Sequence, residues 1–147
     1  MKALTVIQPW ATLLASGKKR CETRSWKTNY RGEILIHAGG MKHNYFSDVC
    51  QHDRIRASRF RDAGIGSDED MRALPFKAII GKAKLVNCVL IDRLTEELIL
   101  EQHPEEFVFG NFAPGRYAWV MEDAVLFDRP IPASGKQGLW NWEGELQ

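Results

Sequence analysis

Hydrophobic and polar residues alternate along several short stretches of the chain, and this period of two is typical of half-buried β-strands. Pro9 ends the first stretch, glycines end the third, and Gly81 interrupts the fourth, where it predicts a bulge or bend. The predicted strands are KALTVI (2–7), RCETRSW (20–26), GEILIHAG (32–39), KAIIGKAKLVNCVLID (77–92), GRYAWVMEDAVLFDRPIP (115–132) and GLWNWEGEL (138–146).

Two helices are predicted between these strands from apolar spacing and capping residues. PWATLLASG predicts a helix from about Trp10 to Ser16, because Pro9 suits a helix start and Gly17 suits the position after a helix end. LTEELILEQ (94–102) predicts a second helix, with Thr95 as its N-cap candidate if LIDRL (90–94) ends the preceding strand.

The segment 41–74 differs from the rest because it is polar and rich in arginine. Its spacing predicts one or two helices, and the acidic stretch GIGSDED (64–70) predicts a mobile loop with little apolar surface to bury. Short strands in excess, an early helix and a helical insertion indicate an α+β protein built on a small curved sheet or barrel. We expect one domain over residues 1–147.

Composition is that of an ordinary globular protein, with 44% hydrophobic and 27% charged residues. No apolar run approaches the roughly 20 residues of a membrane span, and no signal-peptide pattern is visible, so we expect no membrane association. Cys21, Cys50 and Cys88 have no paired spacing. That pattern favours free thiols in a reducing cytoplasm.

Charge is distributed unevenly, although the net charge is only +1. Residues 1–37 hold seven bases and two acids, whereas residues 78–147 hold six bases and eleven acids. A basic N-terminal third suits a polyanionic partner. The alternative is that these charges only solvate the surface.

The basic region surrounds a single carboxylate, Glu22. In a strand that begins near Arg20, the side chains of Glu22 and Arg24 lie on one face, about 7 Å apart, and Lys19 leans over them from the preceding corner. A carboxylate between two bases stays ionised and fixes their rotamers, which suits a preorganised anion pocket. A structural ion pair on an edge strand is the alternative. Three aromatic residues are interleaved with the bases: Trp10, Trp26 and Tyr30.

The stretch QPWATLLASGKKRCETRSWKTNYRGEILIHAG resembles the ASCH (activating signal cointegrator homology) family, a branch of the PUA-like superfamily. Its signature GxKxxExR is matched by Gly17, Lys19, Glu22 and Arg24. The resemblance continues through IIGKAKLVNCVLID, YAWVMED and GKQGLWNW, and leaves out only residues 41–74. The pattern is most similar to the ASCH domain of a transcription coactivator and to small stand-alone bacterial or phage proteins.

The resemblance implies a small β-barrel with flanking helices and a cleft that binds RNA, single-stranded nucleic acid, a nucleotide or a nucleoside. Basic side chains would contact the phosphates, and aromatic rings would stack on nucleobases. We expect Trp119 and Trp140 in the core. Arg54, Arg56, Arg59 and Arg61 fit a solvated helix face better than a phosphate track. The candidate binding residues are Trp10, Gly17, Lys18, Lys19, Glu22, Arg24, Trp26, Lys27, Tyr30 and Arg31.

Two hydrolase alternatives stay open beside the binding module. Small relatives in the superfamily hydrolyse acylated cytidine with a Lys, a Thr and a Glu. Lys19 matches the Lys, but Glu22 stands at the Thr position, and Glu101 and Glu105 are the nearby candidates for the Glu. Glu22 would then activate water directly. A ribonuclease would use Lys19, Glu22 and Arg24 for base catalysis and phosphate stabilisation.

No cofactor or metal is expected from the sequence. His37, His43, His52 and His103 lack the spacing of a metal site, and no phosphate-binding glycine motif occurs. A monomer is favoured.

Overall fold

The computed structural model describes residues 1–40 and 45–146. Residues 41–44, at the start of the predicted insertion, and His43 with them, lie outside the described residues. The described part of the chain forms β1 (Lys2–Val6), α1 (Trp10–Ala15), β2 (Cys21–Arg24), β3 (Gly32–Ala38), α2 (Phe46–Cys50), α3 (Arg54–Asp62), α4 (Asp68–Arg72), β4 (Ala78–Leu90), α5 (Arg93–Gln102), α6 (Pro104–Phe109), β5 (Tyr117–Pro132) and β6 (Leu139–Asn141).

The six strands form one sheet in the order β2-β5-β4-β3-β1-β6. Among the described strands, only β1 and β3 pair in parallel, and the other neighbours are antiparallel. The sheet curls into a half-barrel with the helices packed beside it, which confirms the predicted α+β class.

The curl follows from irregular pairing between the two longest strands, β4 and β5. Their register shifts at three places, one of them between Ile79 and Gly81. A Cβ atom at Gly81 would collide with the carbonyl oxygen of Val125 and would lie 2.9 Å from the Cβ atom of Ala15. Only glycine allows this close approach, so the predicted bend at Gly81 is confirmed.

Helix α1 packs between two parts of the core. Leu14 is buried with the residues of the half-barrel, and Leu13 is buried with Phe60 and Phe109 under the insertion. Gly17 follows the helix with φ +79°, as its predicted role after a helix end requires. Lys19 N–H then donates to the Leu13 carbonyl at 3.0 Å, which directs the chain into β2.

The described part of the insertion forms three short helices, whose apolar side chains pack together with Leu13 and Phe109. The prediction of a loop over the acidic stretch is wrong for α4, because Ser67 Oγ accepts the Asp70 N–H at 3.0 Å and caps the helix. Met71 is buried beside Phe60, so the segment does bury apolar surface.

The predicted N-cap of α5 is also wrong. The helix begins at Arg93, and Asp92 Oδ1 accepts the Thr95 N–H at 2.8 Å, so Asp92 is the cap and Thr95 lies in the first turn. This hydrogen bond holds the pKa of the Asp92 carboxyl below its usual value. Strand β2 is shorter than predicted and ends at Arg24.

The predicted burial of Trp119 and Trp140 is confirmed. The cysteines are free thiols, as expected. None of the described helices is long and apolar enough to cross a bilayer.

Candidate functional site

A cleft of about 640 Å³ lies between β1, α1 and β2 on one side and the insertion, the end of α6 and the loop before β5 on the other. Its charged lining consists of four bases and one acid: Lys19, Arg24, Arg56, Arg116 and Glu22. Trp10 supplies its aromatic ring, together with Phe109. The cleft therefore carries a strong excess of positive charge.

Two other cavities are less suited to an anion. A cavity of about 330 Å³ beside Gly17 is lined by two bases and two acids. A groove of about 800 Å³ follows β5 from Val125 to Pro132 and carries two bases and one acid among mainly apolar residues. The cleft is thus the best candidate for a site that binds a polyanion.

Glu22 lies between two bases, as the strand period predicted. Its Oε2 atom accepts from Arg24 Nη2 at 2.9 Å, and its Oε1 atom lies 3.8 Å from Lys19 Nζ. The Arg24 Nη2 atom also donates to the Thr5 carbonyl of β1 at 2.7 Å. These contacts fix the three side chains on one wall of the cleft.

Lys19 is unusual because its side chain is only 1% exposed. Among the described residues, no atom accepts a hydrogen bond from its Nζ, and the same is true of Arg24 Nε. A buried ammonium without an acceptor is destabilising unless water or a ligand completes its hydrogen bonds. Both donors therefore suit an anionic oxygen in the cleft.

The corner that carries Lys19 is fixed by Glu106 of α6. Its two carboxylate oxygens accept the Arg20 N–H at 3.0 and 2.8 Å, and Oε1 also accepts the Cys21 N–H at 2.9 Å. Glu106 is buried. Burial raises the pKa of the Cys21 thiol to about 11, with a further contribution from the Glu106 charge.

Two further arginines enter the cleft from other elements. Arg56 Nε donates to the Val108 carbonyl at 2.7 Å. Arg116 donates to the Asn111 carbonyl through Nε and to the Thr23 carbonyl through Nη2, both at 3.1 Å. Carbonyl acceptors orient these side chains without neutralising their charge.

Comparison with known protein families agrees with this architecture. A sequence model described as the ASCH domain matches residues 4–130, which is most of the chain. The chain belongs to the ASCH domain family.

The curated relatives include Activating signal cointegrator 1 of Mus musculus (31% identity) and of Homo sapiens (32% identity), each over 143 residues and 97% of this chain. The chain spans about a fifth (22%) of the length of these relatives.

Solved structures of ASCH from Zymomonas mobilis share the fold. The first has a TM-score of 0.57 at 18% identity, and the alignment covers 97% of this chain and 87% of that one. A tyrosine-to-phenylalanine mutant of the same Zymomonas mobilis protein has a TM-score of 0.55 at 17% identity, with 97% and 90% covered.

Of the residues that match the GxKxxExR pattern, Lys19, Glu22 and Arg24 line the cleft, and Trp10 lies beside them. The Trp10 ring is oriented by a hydrogen bond of 2.7 Å from its Nε1 to the Phe109 carbonyl. Gly17 lines the smaller cavity instead.

The other predicted residues lie outside the cleft. Lys18 Nζ donates to the Ala63 carbonyl at 3.0 Å on the surface. Trp26 packs edge-on against Trp119, with 4.7 Å between the ring centroids. Lys27 is exposed, Tyr30 donates through its hydroxyl to the Glu33 carbonyl, and Arg31 donates to the Thr28 and Tyr30 carbonyls.

Sequence reasoning missed Glu106 and did not single out Arg56 or Arg116. Arg56 was one of four arginines in α3, but it lies beside the buried Ala57 and four residues before the buried Phe60. That position at the border of the apolar face was the signal that separates it from the exposed Arg54 and Arg59. For Arg116, whose anchor on Thr23 is 93 residues away, no local signal existed.

The described residues contain no group of three or more His, Cys, Asp or Glu side chains able to hold a metal ion.

Proposed function

We propose that this ASCH domain binds single-stranded RNA or a nucleotide in the cleft, with a phosphate group at Lys19 and Arg24. The observation that carries the proposal is the buried Lys19 Nζ, which has no hydrogen-bond acceptor in the described part of the chain. A phosphate oxygen would supply that acceptor and would also meet the unused Nε of Arg24.

Glu22 organises this phosphate site in the proposal. Its carboxylate holds Arg24 at 2.9 Å and lies 3.8 Å from Lys19, so both bases are preorganised before the ligand arrives. Trp10 is half-buried, contacts Phe60 edge-on at 6.3 Å between centroids, and presents aromatic surface to the cleft. Stacking of a nucleobase there would contribute about 1–3 kcal/mol.

The predicted basic residues outside the cleft have a different role in this proposal. Lys18, Lys27 and Arg31 are exposed, so they would attract RNA at long range without contacting the bound phosphate. Trp26 and Tyr30 would contact only a strand that extends beyond the cleft. We further propose that the domain acts as a monomer in the cytoplasm, where its free thiols stay reduced.

Fluorescence anisotropy with a labelled single-stranded RNA of about eight nucleotides tests the proposal. Lys19→Met removes the buried charge and keeps the length of the side chain, and we expect at least about tenfold weaker binding. Lys18→Met is the matched control, because Lys18 is the exposed neighbour. Equal affinities of the two variants and the unmodified protein would refute a phosphate site at Lys19.

A hydrolase that acts on RNA or an acylated nucleoside is the second candidate, and the Lys19–Glu22 pair in an open cleft favours it. Glu22 would activate water as a general base, and Lys19 would stabilise the developing negative charge. Incubation with RNA or N-acetylcytidine, followed by chromatography, tests this candidate. Turnover that falls by about 10²–10⁴ in Glu22→Gln would support it, and no turnover in the unmodified protein would exclude it for these substrates.

A further inference from the structure

Two arginines line the cleft without belonging to the signature, and their charges have no carboxylate partner among the described residues. Arg56 comes from helix α3 of the insertion, and Arg116 comes from the loop before β5. We propose that they form a second anion subsite, so that the cleft takes a ligand with two phosphate groups in one molecule. This inference rests on the proposed function and deepens it.

Arg56 is held by a main-chain acceptor. Its Nε donates to the Val108 carbonyl, which leaves the two terminal nitrogens without a hydrogen bond to the described residues. Asp53 caps the helix of Arg56, and its Oδ1 already accepts the N–H groups of Ile55 and Arg56. Burial lowers the pKa of Arg56, and the charge of Asp53 opposes this only in part.

Arg116 shows the same arrangement. Its Nε and one terminal nitrogen are engaged by the Asn111 and Thr23 carbonyls, which fixes the plane of the guanidinium. The second terminal nitrogen, Nη1, is left for a ligand. Within residues 1–40 and 45–146, neither Arg56 nor Arg116 forms a salt bridge.

The charges of the cleft fit two phosphates better than one. Lys19 and Arg24 share the single carboxylate of Glu22, so this pair retains one net positive charge. Arg56 and Arg116 add two more without compensation from the cleft lining. A ligand with one phosphate at Lys19 would leave the two outer arginines without an anion. The next phosphate along a strand, or the second phosphate of a nucleoside diphosphate, would satisfy them.

The size of the cleft allows such a ligand. Its volume of about 640 Å³ lies within the usual range for small-molecule sites. Arg56 belongs to the insertion and lies outside the GxKxxExR motif, so the insertion would contribute to ligand selectivity in this protein.

Calorimetric titration with four probes tests the second subsite: adenosine, adenosine monophosphate, adenosine diphosphate and the 5′-phosphorylated dinucleotide pApA. We expect at least one two-phosphate probe to bind about tenfold more tightly than the monophosphate. A gain for pApA alone indicates successive phosphates of a strand, and a gain for the diphosphate indicates a nucleotide ligand. Equal affinities for all three phosphorylated probes would overturn the inference.

The variant Arg56→Gln tests whether the insertion causes the tighter binding of the two-phosphate probe. It should remove the preference for two phosphates, with a clearly smaller loss of affinity for the monophosphate than for the two-phosphate probe. Arg59→Gln is the matched control, because Arg59 is exposed on the same helix, and it should leave both affinities unchanged. Arg116→Gln provides a second test with the same expected result, should Arg56→Gln prevent folding. An equal loss for the monophosphate in both glutamine variants would contradict a separate subsite.

The same titrations separate this inference from the proposed function. If RNA binding depends on Lys19 but the probes show no preference for two phosphates, only the second subsite is overturned. No binding of RNA or of any probe overturns both.

Discussion

Glu106 accepts the backbone N–H of Arg20 with both oxygens of its carboxylate, at 3.0 and 2.8 Å, across 86 residues of sequence. The end of the same helix, α6, also accepts hydrogen bonds from Trp10 and Arg56, through the carbonyls of Phe109 and Val108. One short helix therefore orients the corner before β2, the aromatic ring and an arginine of the cleft. Its position decides whether these groups converge.

Glu106→Gln should lower both stability and RNA affinity. The amide removes the negative charge and replaces one carboxylate oxygen by an N–H donor, so the Arg20 N–H loses one of its two acceptors and faces a donor instead, at a cost of about 1–3 kcal/mol. Urea unfolding and anisotropy measure the two effects. Glu105→Gln is the control, because its carboxylate is about half exposed beside His103. Equal unfolding midpoints for both variants would show that the Glu106 contacts do not stabilise the fold.

Glu22→Gln should destabilise the protein by about 2–4 kcal/mol, because it leaves the buried Lys19 ammonium without its counter-charge. The double variant Lys19→Met/Glu22→Gln should regain much of this loss, since neither buried charge remains. Glu33→Gln is the control, as its pair with Lys82 is exposed and should contribute less than about 1 kcal/mol. A Glu22→Gln effect as small as that of Glu33→Gln in urea unfolding would contradict this account.

RNA binding should weaken with salt. The slope of log K against log salt concentration should show which basic residues contact phosphate. Removal of one contact lowers the slope of log K against log salt by about 0.7 for a single strand. We expect this change for Arg24→Gln and Arg116→Gln, and little change for Lys27→Gln, which lies outside the cleft. If only Lys27→Gln lowered the slope, the phosphate contacts would lie on the outer surface and not in the cleft, contrary to this account.

The Cys21 thiol should make stability depend on alkaline pH. Burial raises its pKa from 9.0 to about 11, so between these values the unfolded state loses the proton and the folded state retains it. The contribution of the Cys21 thiol to the free energy of unfolding is fully present below pH 9. It is lost as the pH rises toward 11, and the loss is up to about 3 kcal/mol. The loss should be smaller in Cys21→Ala than in Cys88→Ala, as urea unfolding at both pH values would show. Parallel pH profiles of these variants would contradict the assignment.

The sequence predicted the part of the cleft that local rules control. Glu22 and Arg24 share a face because strand side chains alternate, and Gly17 ends α1 because it adopts a positive φ. Arg116 and Glu106 were missed because their partners lie 93 and 86 residues away. No pattern within a strand or helix encodes such contacts.

The errors in capping have a different cause. Thr95 was expected to cap α5, but Asp92 precedes it by three residues and is the stronger acceptor at a helix start. The acidic stretch was expected to form a loop, because its charges dominate the composition. Ser67 and the single apolar Met71 suffice to form α4, since the rest of the insertion supplies the apolar surface against which Met71 packs.

Nuclear magnetic resonance provides the most direct test that the ligand enters the cleft. Tryptophan indole and arginine Nε–H correlations would be followed while single-stranded RNA is added. We predict saturable shifts for Trp10 and Arg24, which line the cleft, and small shifts for Trp26, which packs outside it against Trp119. Saturable shifts at Trp26 with unchanged Trp10 and Arg24 would contradict the account.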